Sequence, residues 1–122
     1  MDCPVCKEPM IIVELDEVEI DYCSECEGIW LDAGELELLL VEKSSAGVAL
    51  EDANTDEVKR RCPICMRKML KKNIDAGNTK VLIDACRQGD GLWFDGGELK
   101  DVLKGLGADG NVAIEHLARL FG

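Results

Sequence analysis

Short apolar runs alternate with polar turns through the first part of the chain. Met10 to Leu15 is apolar up to Glu14 and contains the β-branched Ile11, Ile12 and Val13; Asp16-Glu17 is a turn signal, and Val18 to Tyr22 alternates apolar and acidic residues. This pattern predicts a β-hairpin, because β-branched residues suit a pleated strand and period-two alternation marks a half-buried one. Further on the period changes. Asp32 stands three residues before Glu35 and Asp95 three before Glu98, the N-cap-to-N3 spacing of a helix start. After Glu98, Leu99, Val102, Leu103 and Leu106 fall at i, i+3, i+4 and i+7 and predict a one-faced helix. After Glu35, Leu36, Leu38, Leu39, Leu40 and Val41 are apolar nearly all round, and such a helix needs cover on more than one side, from the rest of the chain or from a second copy. Asn111 to Phe121 predicts a short closing helix after the breaks at Gly105 and Gly107.

The pattern occurs twice. Cys3-Pro4-Val5-Cys6, the hairpin, and Cys23-Ser24-Glu25-Cys26-Glu27-Gly28-Ile29-Trp30-Leu31-Asp32-Ala33-Gly34-Glu35-Leu36 form the first copy. Cys62-Pro63-Ile64-Cys65 and Cys86-Arg87-Gln88-Gly89-Asp90-Gly91-Leu92-Trp93-Phe94-Asp95-Gly96-Gly97-Glu98-Leu99 form the second, with Met10 and Met69 at matching offsets. The second hairpin is longer, with its turn around Asp75-Ala76-Gly77-Asn78. The expected fold is a small metal-stabilised α+β protein. Two tandem zinc ribbons, each a β-hairpin with two cysteine turns followed by a helix, precede a short C-terminal helix. The expected segments are 1–43 for ribbon 1, 44–58 for a linker opening on Ser44-Ser45-Ala46-Gly47, 59–106 for ribbon 2 and 107–122 for the C-terminal helix.

Size strengthens the expectation of metal. In a chain of 122 residues, 47% of them hydrophobic, the aromatic side chains are Trp30, Trp93, Tyr22, Phe94 and Phe121. Units of about 40 residues need a metal or disulfides to hold so small a core. No basic segment followed by an apolar run opens the chain and no stretch is long and apolar enough to span a bilayer, so a cytoplasmic location without membrane contact is expected. In that setting seven cysteines are metal ligands before they are disulfides.

The first candidate site is Cys3, Cys6, Cys23 and Cys26. Two Cys-x2-Cys turns each present two sulfurs, and a hairpin brings the pairs together as a tetrahedral zinc requires. The second is Cys62, Cys65 and Cys86, and its fourth position is Gly89, which has no side chain. The single histidine, His116, would bring the ligand count to eight, enough for a second zinc. Asp90, next to the vacant position, is an alternative ligand; a metal-free second site is another, and His116 also suits a place bordering an apolar helix face. An all-cysteine site could equally take iron. No set of nucleophile, base and oxyanion donor is present, so an enzyme is not expected.

Charge divides the chain. Residues 1–58 carry two basic and seventeen acidic side chains, residues 59–87 nine basic and two acidic, and the whole chain is −11. The acidic half argues against bulk nucleic-acid binding. Lys59, Arg60, Arg61, Arg67, Lys68, Lys71 and Lys72 form a candidate partner-binding surface on the second copy, for an acidic protein or locally for nucleic acid, although a solvated face is the ordinary use of such charges. Trp30 and Trp93 are expected in the core rather than stacked on bases, because large aromatics dominate small cores.

At CPxC followed by C-x2-C-x-G-x-W-L-D-x-G-E-L the chain resembles the transcription factor IIB-type zinc-ribbon family of small prokaryotic proteins. The first copy has the whole motif: Cys3, Cys6, Cys23, Cys26, Gly28, Trp30, Leu31, Asp32, Gly34, Glu35 and Leu36. The second has Gly89 for a cysteine and Phe94 for a leucine. The resemblance implies structural zinc and a role in transcription or nucleic-acid interaction. The expected function is a zinc-binding interaction module with protein or nucleic-acid partners. A metal-dependent catalyst or a metal-delivery protein working through the incomplete second site is the alternative.

Overall fold

The computed structural model describes residues 1–15, 18–33, 50–53, 60–76 and 79–105. Among the described residues the strands are β1 (Ile11–Leu15), β2 (Val18–Tyr22), β3 (Ile29–Asp32), β4 (Leu50–Asp52), β5 (Leu70–Ala76), β6 (Thr79–Ala85) and β7 (Gly91–Phe94), followed by a helix, α1 (Glu98–Gly105). All seven strands join one antiparallel sheet in the order β1-β2-β3-β7-β6-β5-β4.

This corrects the expected α+β architecture of hairpin-plus-helix units. The described protein is mostly antiparallel sheet with one short helix. Each unit has a third strand after its second cysteine turn, where Ile29-Trp30-Leu31 and Leu92-Trp93-Phe94 supply consecutive apolar residues of high β-propensity with a strand on either side. Leu50–Asp52, inside the segment expected as linker, adds a seventh strand on the edge of β5. The helix expected after Glu35 and the closing helix at Asn111–Phe121 lie outside the described residues. The helix after Glu98 forms: Leu99 and Val102 are buried, and α1 packs across β5 and β6. Glu98 closes half of a capping box, its Oε1 accepting the Asp95 N–H at 2.9 Å.

The two ribbons meet along β3 and β7. Ile29 pairs with Phe94, Trp30 with Trp93, Leu31 with Leu92 and Asp32 with Gly91. Trp30 and Trp93 are counterparts in the repeat, so a local pseudo-two-fold axis passes through their pairing. Alternation puts both tryptophans on one face of the sheet and Ile29, Leu31 and Phe94 on the other. All five of these side chains are fully buried.

The glycine of the repeated C-x-G-x-W pattern explains itself here. A Cβ on Gly28 would lie 2.2 Å from the Trp93 ring, and one on Gly91 2.6 Å from the Trp30 ring. Each ribbon therefore opens a glycine socket for the other ribbon's indole. The aspartate two residues after each tryptophan fixes the ring: Trp30 Nε1–H donates to Asp32 Oδ1 at 2.9 Å and Trp93 Nε1–H to Asp95 Oδ1 at 3.0 Å. Sequence spacing marks these aspartates as helix caps; the structure shows that their side chains anchor the indoles.

On the tryptophan face of ribbon 2, Lys71 and Asp84 stand opposite each other in the β5–β6 register, with Nζ 2.7 Å from Oδ1 and both side chains buried. The contact is a buried ion pair. Burial pushes the Asp84 carboxyl above its usual value and Lys71 pulls it part of the way back. At the equivalent register in ribbon 1, Asp21 faces Ile12 and has no lysine opposite.

Candidate metal centres

Each cysteine pair sits in a tight turn that opens on a buried cysteine. The Cys3 turn closes with Lys7 N–H to Cys3 O at 3.0 Å and the Cys62 turn with Met66 N–H to Cys62 O at 2.8 Å. Such turns aim backbone N–H groups at sulfur. Val5 and Cys6 N–H both reach Cys3 Sγ at 3.3 Å, and Ile64 and Cys65 N–H reach Cys62 Sγ at 3.4 and 3.5 Å. N–H groups aimed this way offset the negative charge of a metal-bound thiolate.

The first cluster gathers Cys3, Cys6, Cys23 and Cys26, with ligand atoms all within 4.8 Å of one another. Cys3 Sγ and Cys26 Sγ are 3.6 Å apart. Tetrahedral zinc with bonds of about 2.3 Å requires sulfurs about 3.8 Å apart, so the spacing fits. The second cluster gathers Cys62, Cys65, Cys86 and Asp90 within the same limit. Cys65 Sγ lies 3.7 Å from Cys86 Sγ, while Asp90 Oδ2 is 3.4 Å from Cys86 Sγ and 3.8 Å from Cys62 Sγ. A tetrahedron with one oxygen ligand requires sulfur–oxygen separations of about 3.5 Å. Both donor sets are consistent with zinc. His116 lies outside the described residues.

The protonation of the thiols follows their surroundings. Burial pushes Cys26 well above the ordinary thiol range, and pushes Cys62 up to about 12. Burial also opposes ionisation at Cys23, but N–H groups of Cys26 and Glu25 outweigh it and lower the thiol. The Arg67 N–H is the main cause that lowers Cys65. A bound zinc would hold all of these as thiolates and tie each hairpin to its two turns. Metal binding of this kind is folding free energy, about 10–16 kcal/mol for structural zinc in small peptides. The cysteines also belong to the core on the tryptophan face of the sheet. Cys3, Cys23, Cys62 and Cys86 pack with Met10, Met69, Trp30 and Trp93 in one buried cluster.

Residues 2–42 match the TFIIB-type zinc-ribbon family, described as a transcription factor zinc-finger. The match covers the four cysteines of the first cluster, both strands of its hairpin and β3. The second ribbon lies beyond the matched residues, although its register across the pseudo-axis mirrors that of the TFIIB-type ribbon. No curated protein and no solved structure matches the chain.

The structure disperses the basic residues expected to form a partner surface. Lys71 is buried against Asp84, and Lys72 pairs with Asp52. Arg60 is half-buried, and Lys59 lies outside the described residues. Arg61, Arg67 and Lys68 are exposed, with Arg61 Nη1 donating to Met66 O at 3.0 Å. Arg87, also exposed, joins them by donating from Nε to Lys68 O at 3.1 Å. Pairing in a strand register removed Lys71, and period-two alternation along β5 is the sequence signal that could have set it apart from Lys72.

Between the two CPxC turns runs a cleft of about 320 Å³. Met1, Asp2, Cys3, Pro4 and Lys7 from ribbon 1 line it together with Arg61, Pro63 and Met66 from ribbon 2. Pro4 and Pro63 are repeat counterparts, as are Lys7 and Met66, so the cleft opens between equivalent turns of the two ribbons. Met66, in its lining, and Ile64, beside it, are exposed apolar side chains. Among the described residues, no helix is long and apolar enough to cross a membrane.

Proposed function

We propose that this protein is a zinc-stabilised interaction module of the transcription apparatus, and that it grips an acidic, partly apolar segment of a protein partner in the cleft between its two CPxC turns. The cleft carries the proposal. It joins two cationic side chains, Lys7 and Arg61, and the single carboxylate of Asp2 to the apolar surface of Met1, Pro4, Pro63 and Met66. Each metal cluster offers four donors, which leaves no open coordination position of the kind a catalytic zinc needs.

Charge favours protein over nucleic acid as the partner. Lys71, Lys72 and Lys80 are engaged with Asp84, Asp52 and Glu51. The chain as a whole is −11. Four exposed cations near the second turn offer few phosphate contacts, and duplex DNA rewards binding phosphate by phosphate.

A photo-crosslinking residue at Met66, introduced in cells, tests this. The expected product is a discrete adduct with a subunit or factor of the transcription machinery, lost when Lys7→Glu and Arg61→Glu are added. No adduct, or one that persists in the double variant, would contradict it. A gel shift with duplex DNA at low salt that vanishes with those same substitutions would transfer the cleft to nucleic acid.

A further inference from the structure

Three of the four cysteine turns share one geometry. Residue i+4 donates its N–H to the carbonyl of the first cysteine: Lys7 to Cys3 at 3.0 Å, Glu27 to Cys23 at 2.8 Å and Met66 to Cys62 at 2.8 Å. That same residue takes a left-handed conformation, with φ of 66° at Lys7, 64° at Glu27 and 64° at Met66. The fourth turn closes one residue earlier, with Gly89 N–H donating to Cys86 O at 3.1 Å. Gly89 holds the left-handed conformation there, at φ 79°.

The outer frame of the turn is unchanged. In all four, the first cysteine's N–H reaches the carbonyl five residues on, at 2.8 Å for Cys3 to Glu8, 3.0 Å for Cys23 to Gly28, 2.8 Å for Cys62 to Arg67 and 3.1 Å for Cys86 to Gly91. The left-handed residue has therefore moved from i+4 to i+3, the position where Cys26 stands in ribbon 1. A Cβ at Gly89 would meet nothing within 4 Å, so the requirement for glycine is its φ and not space. The tightening brings the next residue, Asp90, to the metal cluster, with Oδ2 3.4 Å from Cys86 Sγ. Its backbone is held from the other ribbon, where Ala33 N–H donates to Asp90 O at 3.1 Å.

We propose that Asp90 is the fourth ligand of the second centre, which makes it a site of three thiolates and one carboxylate, and that zinc leaves this centre before the four-cysteine centre. Gly89 is then the residue that lets the ligand shift by one position, not a lost ligand. Carboxylate is a harder donor than thiolate and holds zinc less firmly beside soft ligands. Asp90 is also half-buried, within reach of a competing donor. The inference rests on zinc binding by both clusters and is independent of which partner the cleft takes.

The test uses the full chain purified with zinc, a chromogenic chelator and metal analysis. Wild type should hold two zinc ions and release them in two phases of equal amplitude, the first at least about 10-fold faster, since even an outer-shell change around a zinc costs 10–100-fold. Asp90→Ala should hold one zinc, while His116→Ala should hold two and keep both phases. Asp90→Cys should slow or remove the fast phase. A single release phase in wild type, one zinc in wild type, or loss of one zinc in His116→Ala with both retained in Asp90→Ala would overturn the proposal. Where Asp90→Ala does not fold, wild-type release still tests the order of loss and His116→Ala and Asp90→Cys still test the ligand. A wild-type chain that binds no zinc at all would instead overturn the zinc-module reading itself.

Discussion

The two ribbons agree in the residues that lock their indoles together and differ in their metal clusters and in the cross-strand pair beneath them. At the seam each supplies the same set: a glycine socket, a tryptophan and an aspartate that fixes the indole, at Gly28, Trp30 and Asp32 and at Gly91, Trp93 and Asp95. Away from the seam they diverge. One cluster has four cysteines and the other three cysteines and Asp90, and Ile12–Asp21 in ribbon 1 becomes the buried Lys71–Asp84 pair in ribbon 2. A pseudo-two-fold seam explains this. Each residue there meets its own counterpart or its neighbour, so a change on one side must be matched on the other. The side chains of a metal cluster or a cross-strand pair meet chiefly their own ribbon, although Asp90 is also held through its backbone by Ala33 of the other.

The comparison can be broken in graded steps. Removing both metals is the largest. A strong chelator should abolish the cooperative thermal transition, because structural zinc contributes about 10 kcal/mol or more to small domains; a transition that persists unchanged by circular dichroism would contradict a structural role. Next come the tryptophans. Trp30→Ala and Trp93→Ala should each cost about 3–5 kcal/mol in denaturant unfolding. The two costs should be similar, since both rings are fully buried in equivalent sockets; a loss confined to one ribbon would break the symmetry.

Asp84→Ala should also cost about 3–5 kcal/mol, because it leaves Lys71 buried without its counter-charge. Asp21→Ala at the equivalent position, with no lysine opposite, should cost much less. Equal losses would show that the ion pair is not what separates the ribbons. Gly28→Ala should be smaller, about 1–3 kcal/mol of overpacking against Trp93. Its cost should shrink in a Trp93→Ala background, and simple additivity would mean that the socket is not shared between ribbons.

Much of this was legible in the chain. The paired Cys-x2-Cys turns, the first hairpin and the helix after Glu98 are local patterns, and local patterns are what hydrophobic periodicity and turn chemistry report. What the sequence hid was long-range. Trp30 and Trp93 pair across sixty-three positions of chain, so the tail of each motif looked like a lead-in to a helix and not like a strand. The glycines and aspartates beside the tryptophans have roles only once the other ribbon is in place. Asp90 was visible as a neighbour of the vacant position, but the one-residue tightening that makes it a donor appears only in the backbone: three turns carry their left-handed residue after the second cysteine, and the fourth carries it at Gly89.

Zinc-edge X-ray absorption of the fully loaded wild-type chain tests the asymmetry of the two centres most directly. The account predicts an average shell equivalent to seven sulfurs and one oxygen over two ions, from the two donor sets, with no imidazole signal in the outer shells. Outer-shell scattering from a histidine ring would contradict it by assigning the fourth position to His116. A pure four-sulfur shell with a single zinc per chain would contradict it by leaving the second centre without metal.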